Sequence, residues 1–168
     1  MKQCLIVLRG GPASGKTTLG ERLRNEKEKI VWLKTDNFKP FFSDSGEFSE
    51  VISQTALASL NHLLDHGYSI IYEGIFQNPR YANEAMKLAQ EKNISAYAYH
   101  LTCSLKTLQE RDLTRIGVKE GCRKPLGNEV IENIFNNIKN NPIKDTVKLD
   151  TEKLSIEECL NIIRKNFD

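Results

Sequence analysis

The chain has 168 residues, enough for one well-cored domain and too few for two. Charged residues make up 27% with a formal net charge of +2, which excludes a bulk polyanion-binding field and leaves only local contacts to nucleic acid. No apolar stretch approaches a membrane span and the first apolar run is too short for a signal-peptide core, so a cytoplasmic protein is expected.

The first predicted element is a short buried strand, Cys4 to Leu8, ending at Gly10. Gly10-Gly11-Pro12-Ala13-Ser14-Gly15-Lys16-Thr17 then spells G-x-x-x-x-G-K-T between that strand and an amphipathic helix reaching about Asn25. This is a phosphate-binding P-loop in its proper context. Glycines let the backbone wrap closely, so successive N–H groups and the helix N-terminus face a polyphosphate. Lys16 is expected to reach the β- and γ-phosphates of ATP, and the Thr17 hydroxyl to ligate Mg²⁺, with Thr18 completing the ATP-binding run.

A second apolar run, Ile30 to Leu33, reads as a buried parallel strand followed by Thr35-Asp36-Asn37-Phe38. Residues 39–48 read as an aromatic-bearing loop. A helix then opens at Ser49, carries Ile52, Ala56, Leu60, Leu63 and Leu64 on one face, and closes at Gly67. The third strand, Tyr68 to Tyr72, ends in Glu73-Gly74. Pro79 is expected in the first turn of the next helix, which runs to about Lys92. Ile94 to Leu101 is the fourth strand, and 104–115 a further helix.

Lys106 to Lys124 carries Arg111, Arg115, Lys119, Arg123 and Lys124, with Gly117 and Gly121 as hinges, and is expected to form a mobile lid at about 111–125. Pro125 is expected to begin a helix to about Ile138, overlapping an Asn-rich connector at 136–141. A last strand spans Thr146 to Leu149. Ser155-x-x-Glu158 is a capping box for a closing helix with Ile156, Cys159, Leu160, Ile163 and Phe167 on one face. Five strands alternating with helices predict an α/β fold, a parallel sheet covered on both faces, in a single domain over 1–168.

Cys4, Cys103, Cys122 and Cys159 are widely spaced without a C-x-x-C pair, so reduced thiols are expected rather than a disulfide or zinc framework. His100 and Cys103 lack the second pair that a zinc site needs.

In an open parallel sheet, ligands sit beyond the carboxyl ends of the strands. The P-loop, Asp36 and Glu73 occupy three such ends. Transfer of a phosphoryl group to a hydroxyl needs an aligned acceptor, charge neutralisation and a carboxylate for the hydroxyl proton. Asp36 is the expected base. Glu73 is the expected acid at the Walker-B-like position, acting through Mg²⁺ or on the acceptor.

With these motifs in order, the chain resembles P-loop kinases that phosphorylate hydroxyl groups: zeta toxins, polynucleotide 5′-kinases and chloramphenicol phosphotransferases. Thr35-Asp36-Asn37-Phe38-Lys39 looks like the family's motif bearing the general base, and Tyr68 to Gly74 is similar to the zeta-type strand ending in Glu-Gly. Glu110-Arg111 and Arg123-Lys124-Pro125 look like the lid arginines. The resemblance implies a P-loop NTPase fold of three α/β/α layers with a helical lid. It also implies that Arg123 stabilises the transition state and Arg111 contacts the nucleotide, with Arg115 sharing one of those roles. Its expected acceptors are the hydroxyl of a small molecule or sugar nucleotide, or a nucleic-acid 5′ end. One alternative is a nucleoside monophosphate kinase, in which Arg80 would hold an anionic acceptor and Asp36 would be idle. Another is a nucleotide hydrolase or switch, although the N-K-x-D motif of a GTPase is absent.

Overall fold

The computed structural model describes residues 2–42, 49–122 and 124–166. Its centre is a five-stranded, wholly parallel sheet in the order β2-β3-β1-β4-β5. The strands are β1 (Cys4–Gly10), β2 (Ile30–Lys34), β3 (Ser69–Gly74), β4 (Ser95–Thr102) and β5 (Thr146–Asp150). The helices are α1 (Lys16–Arg24), α2 (Ser49–Asp65), α3 (Arg80–Glu91), α4 (Leu105–Thr114), α5 (Ile116–Lys119), α6 (Asn128–Asn140) and α7 (Ile156–Arg164), with a 3₁₀ helix over Thr35–Phe41.

Every residue of β1 and β3 is buried, as expected of central parallel strands whose two faces are both covered. Side chains alternate between two cores. Leu5, Val7, Ile70 and Tyr72 pack with Ala56, Leu60 and Leu64 of α2 and with Ala82, Ala85 and Ala89 of α3. The alanine stripe lets α3 lie close to the sheet. On the opposite face, Ile6, Leu8, Ile71, Tyr99 and Leu101 pack with Leu19 and Leu23 of α1 and with Cys159, Leu160 and Ile163 of α7. The helices thus lie on both sides of the sheet.

Several boundaries differ from the sequence-based expectations. β2 is an edge strand with only Leu33 buried, because β3 rather than a covering strand is its single neighbour. Glu73 lies within β3, paired in register with Lys34, rather than beyond the strand. Pro79 occupies the N-cap position of α3. Pro125 does not start α6. The Leu126 and Gly127 amides are held by Asp112, so the helix begins at Asn128 and absorbs most of the Asn-rich connector. Gly67 closes α2 at φ +78° and the Ser155–Glu158 capping box is formed, both as expected. Phe167 and residues 43–48 of the aromatic loop lie outside the described residues.

Candidate active site

The carboxyl ends of β1, β3 and β4 face one edge of the sheet, and the P-loop wraps over it. Gly10 is required by proximity: a Cβ there would lie 2.5 Å from Ser14 Oγ and 2.8 Å from the Leu101 carbonyl oxygen. Ala13 (φ 58°) and Gly15 (φ 98°) take left-handed backbone conformations, the geometry that turns consecutive N–H groups toward an anion. Gly15 caps α1 without a side-chain hydrogen bond, and the first turn of the helix contains no acid. Buried Ser14 Oγ has no hydrogen-bond partner among the described residues. Orphaned donors at a helix N-terminus suit a polyphosphate.

Lys16 folds over this loop, donating from Nζ to the carbonyls of Gly10 (2.9 Å) and Gly11 (2.8 Å). Burial pulls its pKa down to about 8, against the opposing charges of Glu73 and Asp36. Thr17 donates from Oγ1 to Glu73 Oε1 at 2.9 Å, and Trp32 donates its indole N–H to Glu73 Oε2 at 2.8 Å. Glu73 is only 5% exposed, and both its oxygens are engaged. Lys16, Thr17 and Glu73 open into a cleft of about 590 Å³ that is also lined by Pro12, Asp36, Gln77, Arg115 and Leu126. Asp36 sits on the 3₁₀ helix after β2 and pairs with Lys39 at 2.7 Å.

A second pocket adjoins the P-loop on its α7 side, lined by Ala13, Gly15, Thr18, Arg111, Thr151 and Ile156, among others. Arg111 donates to Thr151 Oγ1 (3.0 Å) and to the Thr151 carbonyl (2.8 Å). Ile156, expected on one face of the closing helix with Cys159, Leu160 and Ile163, is exposed and lines this pocket.

A family model described as zeta toxin matches residues 2–166. The chain belongs to the zeta toxin family. No curated protein matches it in sequence. Among solved structures, a presumed kinase from Chloroflexus aurantiacus superimposes at a TM-score of 0.72 with 22% identity, covering 98% of both chains. A gluconokinase from Sinorhizobium meliloti 1021 gives a TM-score of 0.67 at 15% identity, over 98% of this chain and 95% of its own. The Mycobacterium tuberculosis APS kinase CysC, solved with AMPPNP and APS, gives 0.68 at 16% identity, over 99% and 98%. The fold is therefore that of the P-loop kinases.

On this zeta toxin-family framework, one cleft brings together Lys16, Thr17, Asp36, Glu73 and Arg115. Arg111 lies with the second pocket. Arg80 is not brought to the cleft: its guanidinium pairs with Glu84 of α3 (2.8 Å) and with Glu50 of α2 (3.6 Å). Arg123 lies outside the described residues. His100 and Cys103 line a further pocket, with Gly11 and Leu108. Burial and nearby Arg9 push the His100 pKa down to about 4, and no cluster of metal-ligating side chains occurs among the described residues.

Four contributors escaped the sequence reading. Trp32 fixes Glu73, and Gly20 of α1 makes room for it, since a Cβ there would fall 2.4 Å from the indole nitrogen. Asp112, 1% exposed, pairs with Arg115 at 2.7 Å and accepts from the Leu126 amide at 2.7 Å. Arg9, also 1% exposed, donates to the Phe76 carbonyl at 3.1 and 2.9 Å and to the Asn141 carbonyl at 2.6 Å, holding the loop after β3. A charge inside an otherwise apolar strand (Arg9), and an acid one turn after buried Leu108 (Asp112), were the available signals.

Proposed function

We propose that this protein is an ATP-dependent phosphotransferase that moves the γ-phosphate to a hydroxyl group. The observation carrying this reading is the shared cleft, lined by the P-loop lysine and threonine together with Asp36. The nucleotide-bearing APS kinase of the same fold supports ATP as the donor. Arg111 and Thr151 would flank the nucleoside in the pocket on the α7 side, with the triphosphate running over the loop to Lys16.

Thr17 and Glu73 offer hard oxygen donors 2.9 Å apart, a set that fits Mg²⁺ completed by phosphate oxygens and water. Bound there, the ion would neutralise charge on the β- and γ-phosphates. The remaining work belongs to the side chains. Lys16, already desolvated, presents its charge where little water competes. Asp36 takes the acceptor's hydroxyl proton as the oxygen attacks phosphorus, and the bond to the ADP leaving group breaks. Lys39 pairs with that carboxylate at 2.7 Å and orients it. Arg115, anchored on Asp112, faces the cleft from the lid segment at 111–125 and would meet the transferring group, with Arg123 as its proposed companion. Hydroxyl acceptors within this reading are a small molecule, a sugar nucleotide or a nucleic-acid 5′ end.

Substitution of Asp36 tests the assignment. Asp36→Asn is expected to preserve ATP binding while lowering phosphoryl transfer by about 10²-fold or more. Equal loss of binding and transfer would make Asp36 a structural residue and remove the argument for a hydroxyl acceptor.

A further inference from the structure

Arg9, His100 and Lys148 stand in one row across the sheet. Arg9 of β1 is in register with His100 of β4, and His100 with Lys148 of β5. Register partners on neighbouring strands project to the same face, so three basic side chains lie side by side. Like charges so placed oppose one another. Arg9 is 1% exposed, and its bonds go to the Phe76 and Asn141 carbonyls, which are neutral and leave its charge unmatched. Its Nη1 has no hydrogen-bond partner among the described residues. The cost is registered by His100: burial, then Arg9 and Lys148, push its pKa down to about 4, which leaves a neutral imidazole at neutral pH.

The row opens into a pocket of about 260 Å³ lined by His100 and Lys148, with Lys139 as a third basic group and Leu108, Phe135 and Ile138 as apolar walls. That space exceeds the roughly 150 Å³ of an apolar cavity that admits benzene, so it accommodates a ring with a short side chain. A negative group laid on the row would offset the repulsion already present. Inorganic phosphate would give up its hydration against the apolar walls, whereas an apolar acid gains from them.

Two of those walls reach the nucleotide cleft. α6 lends Phe135 and Ile138 to the pocket, while its Ile134 lines the cleft and its Asn137 donates to Gln77 there at 2.8 Å. Leu108 packs on the P-loop, since a Cβ at Gly11 would fall 3.1 Å from its Cδ1.

We propose that this pocket binds a small aryl carboxylate, its ring against Leu108, Phe135 and Ile138 and its carboxylate toward His100 and Lys148, and that occupancy alters ATP affinity through α6 and Gly11. The site is independent of the kinase reading. Its effect on ATP rests on the P-loop holding the nucleotide.

Calorimetric titration of the full chain with 3-phenylpropionate, 3-phenylpropionamide and inorganic phosphate, each with and without saturating ATP and Mg²⁺, tests both halves. The acid is expected to bind about tenfold or more tighter than the amide and than phosphate. Lys139→Gln combined with Lys148→Gln, both at exposed positions, should abolish that advantage and leave amide binding unchanged. Saturating acid should shift the ATP Kd by about fivefold or more, and ATP should shift the acid Kd by the same factor. Absence of saturable acid binding, equal binding of acid and amide, or phosphate matching the acid overturns the site. So does an acid preference that survives the two substitutions. Lysine-dependent acid binding with an unchanged ATP Kd overturns the coupling and leaves the site. Failure of ATP to bind overturns the kinase reading, while the acid titration still decides the site.

Discussion

Trp32 donates its indole N–H to Glu73 across adjacent strands, at 2.8 Å, while Thr17 holds the other carboxylate oxygen. An acid that would bind a metal through one edge is thus fixed from behind, the usual means of orienting a ligand. Trp32 touches no part of the proposed nucleotide path and is a positioning residue. Trp32→Phe keeps a ring but removes the donor. It is expected to weaken the apparent Mg²⁺ affinity and lower kcat by about 5- to 30-fold, the cost of roughly 1–2 kcal/mol for one lost charge-assisted bond. A Mg²⁺ titration of the rate separates this from a general loss of fold, which would lower the active fraction without moving the titration midpoint.

How much of this was readable beforehand follows from where the partners lie in the chain. The P-loop is a local device: its turn, lysine and hydroxyl all fall within eight residues, so spacing alone specifies them. Asp36 and Glu73 were legible because parallel sheets gather strand ends on one edge. The Trp32–Glu73 bond spans 41 residues and depends on β2 lying beside β3, a neighbour relation that periodicity does not encode. Arg9 reaches 132 residues to Asn141. The start of α6 was misjudged because Pro125 is a common first-turn residue. Asp112 instead claims the next two amides, and that contact is tertiary.

Asp112 is where the proposed lid is tied to the body. It is buried, faces Arg115, and accepts from Leu126 and Gly127 ahead of α6. Asp112→Ala should leave those amides without their acceptor and release Arg115. A stability loss of about 1–3 kcal/mol is expected, read as a fall in Tm of roughly 2–4 °C per kcal/mol for a chain of this size. kcat should fall more than ATP affinity if Arg115 meets the transferring group, as proposed. A drop in ATP affinity with kcat unchanged would move Arg115 to the nucleotide pocket.

Arg9 makes a prediction about the acceptor rather than the donor. Its guanidinium holds the Phe76 carbonyl, and Phe76 and Gln77 line the pocket beside Asp36, the proposed base for the acceptor. Arg9→Met fills similar space but leaves buried carbonyls without donors, at about 1–3 kcal/mol each. The acceptor KM should rise while the ATP KM holds, provided assays run well below Tm. Parallel increases in both would place the effect in β1 and the P-loop that follows it.

Lys16 supplies the pH signature. Its pKa in the free protein is about 8, lowered by burial, so the ammonium charge that meets the phosphates is present below pH 8 and lost above it. Nucleotide phosphates favour the charged form and must raise this pKa on binding. Linkage then gives the sign: binding takes up a proton above pH 8, and ATP affinity declines there by as much as about tenfold per pH unit, while staying level between neutral pH and 7.5 or so. Lys16→Arg should flatten that decline, since a guanidinium keeps its charge across the range. Calorimetric titration with ATP at fixed Mg²⁺ from neutral to alkaline pH measures both curves. An affinity that rises through pH 8 in the native chain would show that Lys16 is not the group meeting the phosphates.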